Sequence, residues 1–257
     1  MCGLDTAPLE WGLGRTDFHY LCQPIYDAAA ERYTAAELLM RMDSGRAGPG
    51  YFVSQAERGG LVGELDLATL RHALGLLERL GPSPDMDHLG VNLSPLTLER
   101  PEWRQSVLRL LEEHRALCPR LCVELTETAR DTDAAQVAEA LERISALGAA
   151  IAIDDFGNGQ STILRCLDVP FDVVKLDKCL VDRVEDPRAA AVLREFLGAL
   201  LRMGRIVIAE GVENEVQYRA LRDLGCQRFQ GFYFSGPVTE EAWLAMWRAG
   251  GRAAPGR

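Results

Sequence analysis

The chain has 257 residues, 26% of them charged and 47% hydrophobic, with a formal charge of −10. This is ordinary globular composition, and the length admits a single α/β barrel of about 250 residues. The acidic balance argues against a nucleic-acid polymer as the main partner, which would select a basic stripe. A small phosphorylated ligand stays open, because divalent cations can invert a local field.

Seven cysteines are scattered without a C-x-x-C pair, and the four histidines show no ligand spacing, so neither zinc nor a disulfide framework is expected. The N-terminus has no signal-type apolar core, and no apolar run nears the roughly 18 residues that span a membrane. The expectation is a soluble protein of a reducing cytoplasm, without a membrane partner.

In chain order, 19–26 reads as a strand and 43–50 as a loop. An amphipathic helix follows at 63–80, where Leu67, Leu70, Leu74 and Leu77 recur at spacings of three and four. Strands are predicted at 89–94 and 120–127, then a helix at 133–147 on Val137, Leu141 and Ile144. The remainder alternates: strands at 149–155 and 171–177, a helix at 187–203, a strand at 205–210, a helix at 214–224 and a strand at 229–234. Such alternation implies a mostly parallel sheet covered by helices, and periodicity alone admits either an open sheet or a closed barrel. Nothing marks a linker: the reading is an N-terminal segment over 1–17, one domain over 18–248 and a flexible tail over 249–257.

Successive strands end in polar groups: Asn92, then Glu124 and Glu127, then Asp154 and Asp155, then Lys175 and Asp177, then Glu210. In parallel α/β folds that edge is where sites are built. A single acid there is more often a helix cap or a solvated loop residue. Five neighbouring strands ending this way bring carboxylates together, and these repel unless protonated or neutralised. Hard divalent cations, Mg²⁺ or Mn²⁺, suit an all-oxygen donor set. Adjacent residues of a regular strand face opposite ways, so Asp154 and Asp155 can share a site only if the backbone turns; Gly157 and Gly159 would permit it. Lys175, within the apolar VVKLD, is either a strand-end lysine reaching for water or a cation beside the acids.

Eight short motifs in order carry a resemblance. They are Gln23-Pro24-Ile25, the E-x-L-x-R run Glu37-Leu38-Leu39-Met40-Arg41, Val91-Asn92-Leu93-Ser94 and Glu124-Leu125-Thr126-Glu127. Asp154-Asp155-Phe156-Gly157, Val174-Lys175-Leu176-Asp177, Ala209-Glu210-Gly211-Val212-Glu213 and Gln230-Gly231-Phe232 complete the set. From about residue 18 to 248 the chain resembles the EAL domains, bacterial phosphodiesterases that hydrolyse cyclic di-GMP. The resemblance implies a TIM-like β/α barrel with an irregular first strand, a homodimer, and two Mg²⁺ or Mn²⁺ ions at the barrel mouth. By the same resemblance Glu37, Asn92, Glu124 and Asp154 hold one ion, and Asp154 and Asp155 the other. Lys175 and Glu210 position or deprotonate the attacking water, Gln23 and Arg41 contact substrate, Gln230 lies in the same pocket, and Glu127 braces the loop after the aspartates. The implied reaction converts cyclic di-GMP to linear pGpG.

Two features depart from the family pattern. Leu38 stands where the family has alanine, at a position that offers no ligand atom. The loop after the aspartates reads Asn158-Gly159-Gln160-Ser161-Thr162, with Gln160 in place of an aromatic anchor. That loop keeps a second reading open, a receptor that binds cyclic di-GMP with little turnover and acts through a regulatory protein partner. A scaffold that has lost its ligand set is disfavoured, because every matched ligand position is intact.

Overall fold

The computed structural model describes residues 18–42, 49–83, 85–125, 133–157 and 170–251. Glu127, Asn158, Gly159, Gln160 and Thr162 lie outside the described residues. The elements are β1 (Phe18–Asp27), β2 (Arg32–Met42), α1 (Pro49–Arg58), α2 (Val62–Leu80), β3 (His88–Leu93), α3 (Pro95–Glu99), α4 (Pro101–Glu113) and β4 (Leu121–Leu125). They continue with α5 (Ala134–Ala146), β5 (Ala150–Phe156), β6 (Val173–Leu176), α6 (Lys178–Val181), α7 (Pro187–Arg202) and β7 (Ile206–Ala209). The last are α8 (Glu215–Asp223), β8 (Arg228–Phe229), β9 (Val238–Thr239) and α9 (Glu240–Arg248).

Strands β2 to β8 pair in parallel in chain order, and β1 closes the barrel by pairing antiparallel with both β2 and β8. β9 adds to β1 at Leu21 and Cys22, beyond the short β8. The barrel is therefore closed, with its first strand inverted. Helices cover the outside. On α2, Leu70, Leu74 and Leu77 are at most 1% exposed, each contributing about 2 kcal/mol of apolar burial. Side-chain caps fix several helix starts: Asp133 on α5, Asp186 before Pro187 on α7, Asn214 on α8 and Thr239 on α9.

Several elements differ from the sequence reading. β2 was not expected as a strand, because its first half is buried on both faces and shows no alternation. α1 begins at Pro49, inside the stretch expected to be a loop. The strand expected over 229–234 shrinks to Arg228–Phe229. Gly231, at φ +153, lies so close to the Val212 backbone that a Cβ would sit 2.2 Å from its carbonyl oxygen, and the chain turns there. At the other end, the Gly251 carbonyl accepts a 2.8 Å bond from the Tyr33 amide, so residues 249–251 pack against the start of β2.

The barrel interior is layered by the two-residue period of its strands. Ile25, Ala35, Cys122, Ala152, Val173 and Ile208 form a fully buried apolar plug. One step toward the C-terminal ends of the parallel strands, two residues on, stand Glu37, Glu124, Asp154, Lys175 and Glu210. On inverted β1 the same step runs backwards, to Gln23. His88, Gly90 and Asn92 share one face of β3, and Arg228 and Gln230 one face at β8.

His88 is 4% exposed and its Nε2 has no hydrogen-bond partner. Burial, with the charges of Arg228 and Lys175, pushes its pKa down to about 3. Between pH 3 and 6.5 the unfolded chain therefore binds more protons at this site than the folded one. Acid favours unfolding across that window, by up to about 1.4 kcal/mol per pH unit. His88→Leu should remove this component: the stability difference between variant and wild type, followed by urea unfolding, should grow as pH falls through the window. A pH-independent difference would show that His88 titrates normally in the folded state.

Candidate metal and active site

Lys175, 1% exposed, is the hub of the polar layer. Its Nζ lies 2.5 Å from Glu124 Oε2, 2.7 Å from Glu210 Oε1, and 3.1 Å from both Glu37 Oε2 and Asp154 Oδ1. Burial alone would depress the ammonium, yet Asp154, Glu124, Glu210 and Glu37 together hold it well above the ordinary lysine range. The lysine does not reach for water; it is a buried cation inside a ring of acids.

The acids are not equivalent. Burial works to raise Glu37, but Lys175 and bonds from Gln230 and Asn92 hold it below its usual value. Gln230 Nε2 donates to Glu37 Oε2 and Asn92 Nδ2 to Glu37 Oε1, both at 2.8 Å. With its amide nitrogen so engaged, Asn92 has its carbonyl oxygen left as a hard donor. Glu124 moves the other way: burial drives its pKa well up, Lys175 opposes, and Glu37 and Asp154 add to the rise. Burial likewise pushes Glu210 up to about 8, with Lys175 opposing and Asp154 and Glu37 adding.

Asp155 has φ +53, and the β5–β6 register breaks between Ile153 and Phe156. The backbone turn that the Asp-Asp pair demands thus begins at Asp155 itself, and Gly157 at φ +107 continues it. Through this bulge Asp154 and Asp155, with Glu210, bring carboxylate oxygens within 4.8 Å of one another.

A divalent cation fits these residues. Among the described residues, one ammonium faces four carboxylates, with Asp155 a fifth nearby. Glu124 Oε1 and Asp154 Oδ1 are buried with no hydrogen-bond partner; the latter is close to Lys175 Nζ but out of line for a bond. Buried oxygens in negative excess are what a hard cation satisfies.

Of the expected substrate contacts, Gln23 pairs with Glu37 across β1 and β2 and its Nε2 donates to the Ser235 carbonyl at 3.5 Å. Arg41 lies four residues beyond Glu37 on β2, with Nη1 on the Met40 carbonyl at 2.9 Å and not on an acid of the ring. Sequence reasoning missed Gly90. A Cβ there would lie 1.9 Å from Glu124 Oε1, so the glycine is the floor over which Glu124 reaches Lys175. The signal was available: glycine inside an apolar strand marks a close approach.

Gly90→Ala accordingly acts on the site through one side chain. The methyl meets the carboxylate of Glu124, which is fully buried on Lys175, so the variant should lose some Tm as well. Glu124 must swing away, and Mn²⁺ affinity by calorimetry should fall about tenfold or more. Undiminished affinity would remove Glu124 from the ligand set.

The EAL-domain family model matches residues 9–237. PA2567 of Pseudomonas aeruginosa, a cyclic di-GMP phosphodiesterase, is 31% identical over 234 residues, covering 88% of this chain and 40% of that protein. RocR, a cyclic di-GMP phosphodiesterase of the same organism, is 29% identical over 242 residues, or 93% of this chain and 62% of RocR. The chain thus spans between 40% and 62% of the length of these two relatives. A solved structure of the PaMucR phosphodiesterase in complex with c-di-GMP aligns with a TM-score of 0.77 at 30% identity, over 88% of this chain and 99% of that one. The motif order, the closed barrel with its inverted first strand and this family match have one explanation: the chain belongs to the EAL-domain family.

Proposed function

We propose that this chain hydrolyses cyclic di-GMP to linear pGpG in a reaction that depends on Mg²⁺ or Mn²⁺. The observation that carries the reading is the buried ring of Glu37, Glu124, Asp154 and Glu210 about Lys175, four carboxylates to one ammonium, with Glu124 Oε1 buried and without a hydrogen-bond partner. The named activities of PA2567 and RocR support the same substrate. Glu37, Asn92, Glu124 and Asp154 would hold one ion and Asp154 with Asp155 the second. Bound there, the ions would supply Lewis-acid charge and lower the pKa of water.

The protein's own groups divide the remaining work. Lys175 is surrounded by four carboxylates and held protonated, so it cannot serve as the base; it fixes the acids in place. Glu210, at the edge of the ring, takes the proton of the attacking water. Water oxygen bonds to phosphorus, the bond from phosphorus to the ribose 3′ oxygen breaks, and the proton that Glu210 took is returned, through solvent, to that leaving oxygen as a hydroxyl. Arg41 and Gln23 bind the ligand, and Gln230, which donates to Glu37, lies in the same pocket. Glu127 would brace the loop after the aspartates.

The proposal extends to a domain over 18–248, a homodimer and a regulatory protein partner in the cytoplasm. No helix among the described residues is long and apolar enough to cross a membrane. The receptor reading rests on Asn158, Gln160 and Thr162, and no described residue favours it.

Incubation of pure protein with cyclic di-GMP and Mn²⁺ should yield pGpG, and a chelator should abolish it. Turnover that persists in metal-free protein would overturn the proposal. Glu210→Gln should lower kcat by about 10²–10⁴-fold while the Kd for cyclic di-GMP in Ca²⁺ changes severalfold at most. Arg41→Ala should do the reverse, weakening Kd through loss of a charge-assisted phosphate contact. Equal effects of both variants on Kd, with kcat intact, would show that the roles are misassigned.

A further inference from the structure

Asn92 needs to be held from both sides to present its carbonyl oxygen to an ion. Glu37 holds its amide from within the barrel. The other side is the C-terminal end of β3, where Ser94 follows two residues later. Ser94 is 2% exposed, and both of its donors go to acids outside the ring. Its backbone N–H donates to Asp66 Oδ2 at 2.9 Å, and its hydroxyl to Glu57 Oε1 at 2.9 Å. Asp66 Oδ2 also accepts Thr97 Oγ1 at 2.6 Å, from α3, the next turn of chain. Thr97 is fully buried and Asp66 is 7% exposed.

A serine at this place, Ncap of α3, would ordinarily turn its hydroxyl onto its own helix. Here it makes no such cap bond, and the hydroxyl goes to α1 instead. The two acids sit on α1 and α2, whose Phe52, Ala56, Val62 and Leu65 form one small core with Met40 and Met42 of β2. The helix pair is thus anchored beside Arg41 and grips the strand end that carries Asn92.

Resting on the metal-site reading above, we infer that Asp66 and Glu57 are positioning residues for the cation site: they fix the end of β3 through Ser94, and thereby the reach of Asn92. Ligand atoms must be placed within tenths of an ångström, and groups that orient a ligand govern affinity nearly as strongly as the ligand itself. Neither acid touches the ring, so their effect is transmitted by the backbone alone.

The test is Mn²⁺ binding to the full chain by calorimetry, with Tm measured in parallel. Asp66→Leu removes the acceptor and should weaken Mn²⁺ by about tenfold or more. Asp66→Asn keeps an oxygen for Ser94 and Thr97 and should bind within about threefold of wild type. Ser94→Ala, which loses only the Glu57 bond, should fall between them, and it carries the test if Asp66→Leu does not fold. Leu197→Ala opens a cavity under α7, in a cluster that contains none of Ser94, Asp66 and Glu57; it should lower Tm yet leave Mn²⁺ affinity unchanged. Wild-type affinity in both Asp66→Leu and Ser94→Ala, or an equal loss in Leu197→Ala, would overturn the inference. Absence of Mn²⁺ binding by the wild type would overturn the metal-site reading as well, so the two failures are distinct.

Discussion

One ammonium holds the centre of this barrel together. Lys175 Nζ is the shared partner of acids from β2, β4, β5 and the end of β7, so four strands meet at a single charge. An isolated charge at 1% exposure costs several kcal/mol, and so does each acid left without its cation. The ring is therefore cooperative: closure of the barrel brings all members in, and loss of one strands the rest. It is also unbalanced, since a lysine offers three N–H donors to eight carboxylate oxygens. Protons or divalent cations can make up the difference; burial first, and then the neighbouring acids, raises Glu124 and Glu210.

The layer beneath makes that ring possible. Ala35, Ala152 and Cys122 are small, and Gly90 has no side chain, so the long acids above them have room to converge. The same plug removes water from below, and low local polarisability strengthens every charge interaction in the layer above. Its cost appears at the barrel floor, where His88 is kept neutral by burial and by two nearby cations.

Much of this was legible because the period of a strand is rigid. Asn92, Glu124, Asp154, Lys175 and Glu210 close consecutive apolar runs, and the parallel register then sets them side by side. Helices with a clean apolar stripe were equally readable: the face of α2 predicted from Leu67, Leu70, Leu74 and Leu77 is its buried face. What failed lacked periodicity. β2 is buried on both sides at its start, and β8 ends after two residues because Gly231 must press against Val212. The bend at Asp155 was expected from the glycines after it, whereas the positive φ falls on the aspartate, a residue whose short polar side chain tolerates that conformation. Asp66, Glu57 and Ser94 could not be joined from sequence, since their contacts run between a helix pair and a strand end with no shared spacing.

Depth differs among the members of the ring. Side-chain exposure rises from 1% at Glu124 and 9% at Glu37 to 12% at Asp154 and 18% at Glu210. Among the described residues, the deep members Glu124 and Glu37 face Lys175, with Gln230 and Asn92 bonded to Glu37. The shallow members, with Asp155 brought in by the bulge, offer oxygens to whatever enters the mouth. The proposed cation ligands thus include the deepest acids, where packing fixes geometry, and the proposed base is the most exposed of the four. Lys175 sits at the sealed end and Glu210 at the open one. The barrel's architecture thus separates the charge that holds the ring from the carboxylate proposed to act on water.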